Sequence, residues 1–161
     1  MIRFEQLGGT EGARLRSIRL RALQDAPGAF GSTFDEACAR PMDDWMEQAM
    51  RLPTFVAVAD GLDVAMVRCV RDKDNLDTSW LLSMWVAPEV RRTGLGRELV
   101  DLVIAWARDN NIRRIVLDVA DANAPAIALY DAMGFRPNGK AGSMPPPRDH
   151  ITEHQRELTL V

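Results

Sequence analysis

The chain has 161 residues, of which 47% are hydrophobic and 27% charged, and its formal net charge at pH 7 is -3. These values are typical of one globular domain that can bury its own core, so we expect a single domain over residues 1–161. The acidic balance argues against nucleic acid as a partner, because binding a phosphate backbone needs a basic surface. No apolar run approaches the roughly 20 residues that span a bilayer, and no signal-peptide pattern is present, so we expect no membrane partner and a cytoplasmic location.

The N-terminal quarter of the chain predicts a strand, a helix and a loop. Residues 2–7 are short, apolar and alternating, which is typical of a strand. Residues 11–25 carry apolar side chains at helical spacing, with the arginines predicted on the opposite face. Residues 29–40 are expected to form a loop.

A second helix and a β-hairpin are expected next. Asp43 is a suitable N-cap, and the helix after it is predicted to end at Pro53. Four apolar side chains would share one side of this helix: Trp45, Met46, Ala49 and Met50. Two apolar runs, residues 54–59 and 62–70, are joined by Asp60-Gly61, the dipeptide most typical of a two-residue hairpin turn.

The segment from residue 81 onward predicts a strand–helix–strand unit. Residues 81–86 form a buried strand, and an amphipathic helix is predicted from Arg97 to about residue 110. Residues 114–119 form the next strand. Because a helix connects the two strands, we expect them to lie parallel.

The last part of the chain predicts one helix and two strands. The helix contains Pro125 in its first turn and ends at Gly134, which is placed for a left-handed C-terminal position. Residues 139–149 are rich in Pro and Gly and are expected to form a loop. Residues 152–161 are predicted as a final strand that pairs with residues 135–137.

The loop after the strand 81–86 has the sequence RRTGLG, which favours phosphate binding. Two glycines at a helix N-terminus let the backbone approach a ligand, and the free N–H groups and the helix dipole attract an anion. The two arginines add positive charge, so we interpret the loop as a pyrophosphate cradle. The same spacing also fits an ordinary strand-to-helix turn with solvated arginines. A P-loop would need Lys-Ser/Thr where Arg97-Glu98 stands, and a dinucleotide-binding loop would need a glycine in place of Leu99.

This loop and a second segment resemble the GNAT superfamily of acyl-CoA-dependent N-acetyltransferases. Arg91, Gly94 and Gly96 occupy the specified positions of its Q/R-x-x-G-x-G/A signature. Residues 123–135 match its N-x-x-A-x-x-x-Y-x-x-x-G-F pattern position for position. The predicted element order is also that of the superfamily. The resemblance implies an α/β fold with a central mixed sheet, helices on both faces and two strands that splay apart at the acyl-CoA site.

The same resemblance implies which residues hold acetyl-CoA. The backbone of Trp85 and Val86 is expected to hold the pantetheine arm. The backbone of the loop is expected to hold the pyrophosphate, through Arg91, Arg92, Thr93, Gly94, Leu95, Gly96 and Arg97. Asn123 is expected either to cap the last helix only or also to hydrogen-bond the cofactor arm.

The resemblance also implies a catalytic acid, but it leaves the base open. Tyr130, the only tyrosine of the chain, stands at the position of the general acid that protonates the departing thiolate. The alternative is a buried tyrosine that packs on Phe135. Some family members carry a Glu on the strand before the glycines, and residues 81–86 contain no carboxylate. A water chain held by Ser83 and backbone carbonyls could take its place, or a loop carboxylate from the group Glu36, Asp149 and Glu153, each of which is also typical of a solvated acid.

The resulting prediction is an N-acetyltransferase that uses acetyl-CoA to modify a primary amine by direct attack in a ternary complex. Acidic residues in the two loops suggest a cationic small molecule or a peptide amine as the acceptor: Asp25, Asp35, Glu36 and Asp149. The alternative is an acyl-CoA-binding regulatory module without transfer activity. We expect a monomer or homodimer, and no metal site, because Cys38 and Cys69 lack metal-ligand spacing.

Overall fold

Seven strands form one mixed sheet in the computed structural model of the chain, which describes residues 1–160. The strands are β1 (Ile2–Gln6), β2 (Thr54–Ala59), β3 (Leu62–Arg71), β4 (Thr78–Val86), β5 (Arg114–Ala120), β6 (Arg136–Ser143) and β7 (Thr152–Thr159). Their spatial order is β1-β2-β3-β4-β5-β7-β6. Only β4 and β5 are parallel; every other neighbouring pair is antiparallel. The predicted α/β fold with a mixed sheet is confirmed.

Helices cover both faces of this sheet. They are α1 (Gly12–Asp25), α2 (Phe34–Cys38), α3 (Met42–Arg51), α4 (Leu95–Asp109) and α5 (Ala124–Ala132). The side chain of Trp85 hydrogen-bonds Asp25 of α1, whereas the next residue, Val86, lies beside Gly96 of α4. Because successive side chains of a strand point to opposite faces, α1 and α4 lie on opposite sides of the sheet. We call these the α1 face and the α4 face.

The parallel strands β4 and β5 separate part-way along their length. They pair at only three positions, the last of which joins Trp80 to Val116. Beyond that point β4 stays with β3, and β5 stays with β7. A bulge at Ser83, whose φ is 58°, accompanies the separation, since the pairing with β3 shifts there. The result is a gap between two adjacent strands at the centre of the sheet.

Several predicted boundaries were correct because local signals set them. The hairpin turn at Asp60-Gly61 has positive φ at both residues, as its sequence predicts. Gly134 has φ 97° just beyond the end of α5, which confirms its left-handed position. The final strand ends at Thr159, and Val161 of the predicted strand lies outside the described residues.

Three predictions about element bounds were wrong. Residues 34–38 form the helix α2 inside the predicted loop; Thr33 Oγ1 accepts from the Glu36 N–H at 3.1 Å, so the T-x-x-E capping signal was present in the sequence. Pro41, not Asp43, is the N-cap of α3. Strand β6 continues through residue 143, because residues 141–143 pair with β7 where a loop was predicted.

Burial also differs from the sequence pattern at several positions. On α3, Trp45 and Ala49 are buried, but Met46 and Met50 are 37% and 72% exposed. Of the two cysteines, Cys69 is buried and Cys38 is exposed. Arg19 was predicted on the outer face of α1 and is buried instead, because it lies four residues from both Leu15 and Leu23 on the apolar stripe.

Candidate active site

The loop between β4 and α4 leaves an open approach to a helix N-terminus. Gly94 is the N-cap of α4 with φ 89°, and no side chain caps the helix there. A Cβ atom placed on Gly94 would meet no other atom within 4 Å. Arg92 and Arg97 are exposed, and neither forms an ion pair among residues 1–160. Free N–H groups, open space and two unpaired cations fit a pyrophosphate group.

The second glycine of the motif serves packing rather than open access. A Cβ atom on Gly96 would lie 3.1 Å from Leu129 Cδ2 and 3.9 Å from Val86 Cγ2. Gly96 therefore lets the start of α4 approach α5 closely at Leu129, the residue before Tyr130. The side chains of Thr93 and Leu95 also support the loop: the Thr93 hydroxyl donates to the Val90 carbonyl, and Leu95 is buried.

The side chain of Arg91 is hydrogen-bonded to other groups of the protein, which corrects the expectation that both arginines serve the ligand. Its Nε donates to the Val86 carbonyl at 2.9 Å, and its Nη2 donates to Asp25 Oδ2. Asp25 also accepts from Trp85 Nε1 at 3.0 Å. The hydrogen bond from Trp85, followed by the hydrogen bond and the charge of Arg91, lowers the pKa of Asp25. Asp25 is therefore an anchor between α1 and the loop, and it is not free to bind a cationic acceptor.

The backbone of β4 faces the gap at Val86 but not at Trp85. The Ala87 N–H donates to the Val64 carbonyl of β3 at 2.8 Å. Because peptide groups alternate in direction along an antiparallel strand, those of Trp85 also point to β3 and those of Val86 point to the gap. The backbone of Trp85 is therefore not available to hold the pantetheine arm, contrary to the expectation from the sequence. At Val86 the N–H remains for a ligand, since the carbonyl accepts from Arg91.

Tyr130 lies on α5 with its ring packed against Phe135. The two ring centroids are 5.7 Å apart, and Tyr130 is 5% exposed. Burial raises the pKa of the Tyr130 phenol above its usual 10, so the proton is retained at neutral pH. Tyr130 can therefore pack on Phe135 and still carry the proton that a general acid needs. Asn123 is the N-cap of α5, as the sequence allowed, with Oδ1 accepting from the Ala126 N–H at 3.4 Å.

Two carboxylates lie beside the gap on the α1 face. Asp118 of β5 is opposite Gln155 of β7, and Glu153 is opposite Ala120, so cross-strand pairing places both acids on one face. As diagonal neighbours their Cβ atoms are about 7–8 Å apart. Burial raises the pKa of Asp118; burial and then the charges of Asp118 and Asp121 raise the pKa of Glu153. A carboxylate with a raised pKa is suited to accept a proton.

Asp118 was missed by sequence reasoning, although the sequence contains a signal. It is the only charged residue inside the apolar strand segment IVLDVA. It is partly exposed, although protein surrounds enough of its carboxylate to raise the pKa, whereas its neighbours in that segment are buried. The other loop acids do not join it. Glu36 lies exposed in the first turn of α2, and Asp149 is exposed in the turn between β6 and β7. Ser83 lies at the gap, where its hydroxyl accepts two hydrogen bonds from Arg68.

Comparison with known proteins agrees with this geometry. The model of the acetyltransferase (GNAT) family matches residues 19–135. The chain is 29% identical over 134 residues to a mycothiol acetyltransferase of Thermomonospora curvata, covering 83% of this chain and 43% of that protein. It is 38% identical over 60 residues to the [ribosomal protein bS18]-alanine N-acetyltransferase of Escherichia coli, covering 37% of this chain and 40% of that protein.

Solved structures support the same fold. A GNAT-family acetyltransferase from Streptococcus pneumoniae superposes with a TM-score of 0.84 at 20% identity over the full length of both chains. The yncA protein of Salmonella typhimurium, solved with acetyl-CoA, gives 0.80 at 19% identity over 100% of this chain and 95% of that one. The chain therefore belongs to the GNAT family of acetyltransferases, which use acetyl-CoA. It spans less than half the length of the two curated relatives named above.

No helix among residues 1–160 is both long and apolar enough to cross a membrane. In the same part of the chain, no group of three or more His, Cys, Asp or Glu side chains is arranged to hold a metal ion.

Proposed function

We propose that this protein transfers the acetyl group of acetyl-CoA to a primary amine by direct attack in a ternary complex. The gap between β4 and β5 carries the proposal, because it joins an open helix N-terminus to two sets of titratable groups. Tyr130 belongs to α5, whose Leu129 lies beside Gly96 on the α4 face, and Asp118 and Glu153 lie on the α1 face. A proton donor and a proton acceptor on opposite sides of one opening fit a transfer reaction that needs both.

The open loop fits the cosubstrate. The N–H groups around Gly94, with Arg92 and Arg97, would hold the pyrophosphate, and the Val86 N–H would hold an amide of the arm. Acetyl-CoA supplies the acetyl group and a thiolate leaving group. The loop residue Arg91 acts indirectly, since its bonds to Asp25 and Val86 hold the cradle against α1.

The titratable residues account for the protons of the reaction. An acceptor amine with a pKa near 10 arrives mainly as an ammonium ion. Glu153, with Asp118 beside it, takes the proton that frees the nitrogen lone pair and releases it to solvent. Once the bond between nitrogen and the acetyl carbon has formed, the regenerated carboxylate takes the second proton from the nitrogen and releases it to solvent as well. Tyr130 gives its phenolic proton to the sulfur as the carbon–sulfur bond breaks and is reprotonated from solvent.

Acetyl-CoA is expected to raise the Tm of the protein, because a ligand that binds only the native state stabilises it. At 100 times its Kd the gain is about 2.7 kcal/mol. Gly94→Val should abolish this shift, and Gly139→Val provides the matched control. Both glycines have nearly the same φ, 89° and 87°, and both face open space, so the strain of the substitution is similar.

Thermal shift assays with acetyl-CoA and with ATP test this prediction. Equal shifts with the two ligands would indicate a generic phosphate site and contradict the proposal. An acetyl-CoA shift that survives Gly94→Val as well as it survives Gly139→Val would place the cradle elsewhere. Release of free thiol in the presence of an amine panel then separates an enzyme from a binding module, because a module would show the shift without the release.

A further inference from the structure

Two buried arginines lie on the α1 face without an acidic partner. Arg68 of β3 is 8% exposed and donates only to neutral groups: Nε and Nη2 to Ser83 Oγ at 3.0 and 2.9 Å, and Nη1 to Gln48 Oε1 at 2.8 Å. Gln48 in turn donates to Asp44, but that carboxylate is already paired with Arg40 at 2.9 Å. The charge of Arg68 is therefore not balanced by a free carboxylate among residues 1–160.

Arg19 of α1 is the second buried cation, and it is less satisfied than Arg68. It is 5% exposed, its Nη1 has no hydrogen-bond partner among the described residues, and its guanidinium stacks 4.9 Å from the ring centroid of Phe30. Burial lowers the pKa of Arg19 to about 10. Burial, and then the nearby charge of Arg19, lower the pKa of Arg68 to about 9. Both remain charged at pH 7, although two like charges close together in a buried region destabilise the fold.

The register of the sheet places this charge next to the proposed base. Arg68 is opposite Leu82 of β4, and Val70, Trp80 and Val116 form the row before it. Two residues further along, Asp118 of β5 therefore lies on the same face and at the same level as Arg68, on the other side of the gap. The α1 face of the gap thus has a cationic side, from β3 and β4, and an anionic side, from β5 and β7.

Ser83 connects the cationic side to the gap. Its oxygen accepts both bonds from Arg68, so the hydroxyl proton is free to donate to another group. Ser83 is half-buried at the bulge where β4 leaves β5. A carboxylate at this position would accept from Ser83 and would lie close to the unbalanced charge of Arg68 and Arg19.

From these contacts we infer that the acceptor is an amine that carries a carboxylate, with the amine on the Asp118 and Glu153 side and the carboxylate on the Ser83, Arg68 and Arg19 side. This inference rests on the proposed acetyltransferase function and names its substrate class. It replaces the cationic acceptor suggested by the loop acids, because Asp25 is bound to Arg91 and Trp85 and the other loop acids are exposed to solvent.

The test compares matched acceptors that differ only in the carboxylate. The series consists of glycine, β-alanine, 4-aminobutyrate and 5-aminopentanoate, each against the n-alkylamine with the same number of methylene groups between the nitrogen and the chain end. For at least one length, the carboxylate should raise kcat/KM by about 10- to 100-fold, as expected for charge-assisted hydrogen bonds. The same compound should raise the Tm of the protein saturated with coenzyme A, and its alkylamine should not.

Variants assign the effect to the arginines. Arg68→Met should remove the preference for the carboxylate in both measurements, and Arg19→Met should weaken it. Arg51→Met is the control, because Arg51 is an exposed arginine whose charge also acts on Arg68. Its own contact with Glu47 is loose, at 3.9 Å. Arg51→Met should keep the wild-type preference. If Arg68→Met does not fold, the Arg19→Met variant and the wild-type comparison still decide the question.

The inference is overturned if no chain length shows a carboxylate preference in the wild-type protein, or if the preference survives in Arg68→Met. These results leave the proposed function intact, provided acetyl-CoA still raises the Tm and amines without a carboxylate are still acetylated. If acetyl-CoA does not raise the Tm, that result counts against the proposed function. The binding of the amino acids of the series is then measured as a Tm shift of the protein without coenzyme A.

Discussion

Glu153→Gln is expected to lower the acetylation rate at pH 7 by about 100-fold or more, which is the usual contribution of a general base. The substitution keeps the shape of the side chain but removes its ability to take a proton from the ammonium ion. The loss should therefore shrink as the pH approaches the pKa of the acceptor amine, because the amine is then neutral without help. The measurement is kcat/KM between pH 6 and 10 with an amine that the wild-type protein acetylates.

Asp118 is expected to act through the pKa of Glu153. Its negative charge helps to raise the pKa of Glu153 above the usual 4.5, and a raised pKa means that the base is lost to protonation at a higher pH. Asp118→Asn should therefore shift the acidic limb of the rate profile to lower pH, with a smaller loss at pH 7 than Glu153→Gln.

Glu36→Gln is the control for both variants, because Glu36 is an exposed acid of α2 and does not belong to the strands that border the gap. It should stay within about twofold of the wild-type rate. A loss in Glu153→Gln that is the same at every pH, or a similar loss in Glu36→Gln, would contradict the role of Glu153 as the base.

Tyr130→Phe is expected to lower kcat by roughly 10- to 100-fold, at the low end of general acid catalysis, because a coenzyme A thiolate leaves fairly well without help. Phe keeps the ring that packs on Phe135, so the Tm should change little. Affinity for acetyl-CoA should also be unchanged, since the hydroxyl acts only as charge develops on sulfur.

The comparison requires conditions in which chemistry limits the rate, because slow product release would hide the effect. Single-turnover measurements satisfy this condition. Burial raises the pKa of Tyr130 above 10, so wild type and variant should have the same pH profile below pH 10 and differ only in height. A single-turnover rate within about twofold of wild type would leave Tyr130 as a packing residue.

Features set by neighbouring residues could be predicted from the sequence. The turn at Asp60-Gly61, the left-handed Gly134 and the cap at Asn123 depend on backbone preferences and hydrogen bonds a few residues apart. The parallel pairing of β4 and β5 also followed from the sequence, because a strand–helix–strand connection has one favoured arrangement. The two motifs that indicated the family are local in the same sense, and the family is confirmed.

Only the tertiary structure decided what surrounds the gap. The Arg91 side chain binds Asp25, which is 66 residues away, and Arg68 binds Ser83 across two paired strands. Asp118 comes beside Glu153 only because β7 inserts between β5 and β6. A side chain's neighbours across a sheet depend on strand order and register, which arise from the packing of the whole chain. The sequence by itself therefore determined the family and gave the proposed cradle and the candidate acid, whereas the tertiary structure decided the candidate base and the buried cations that lie opposite it.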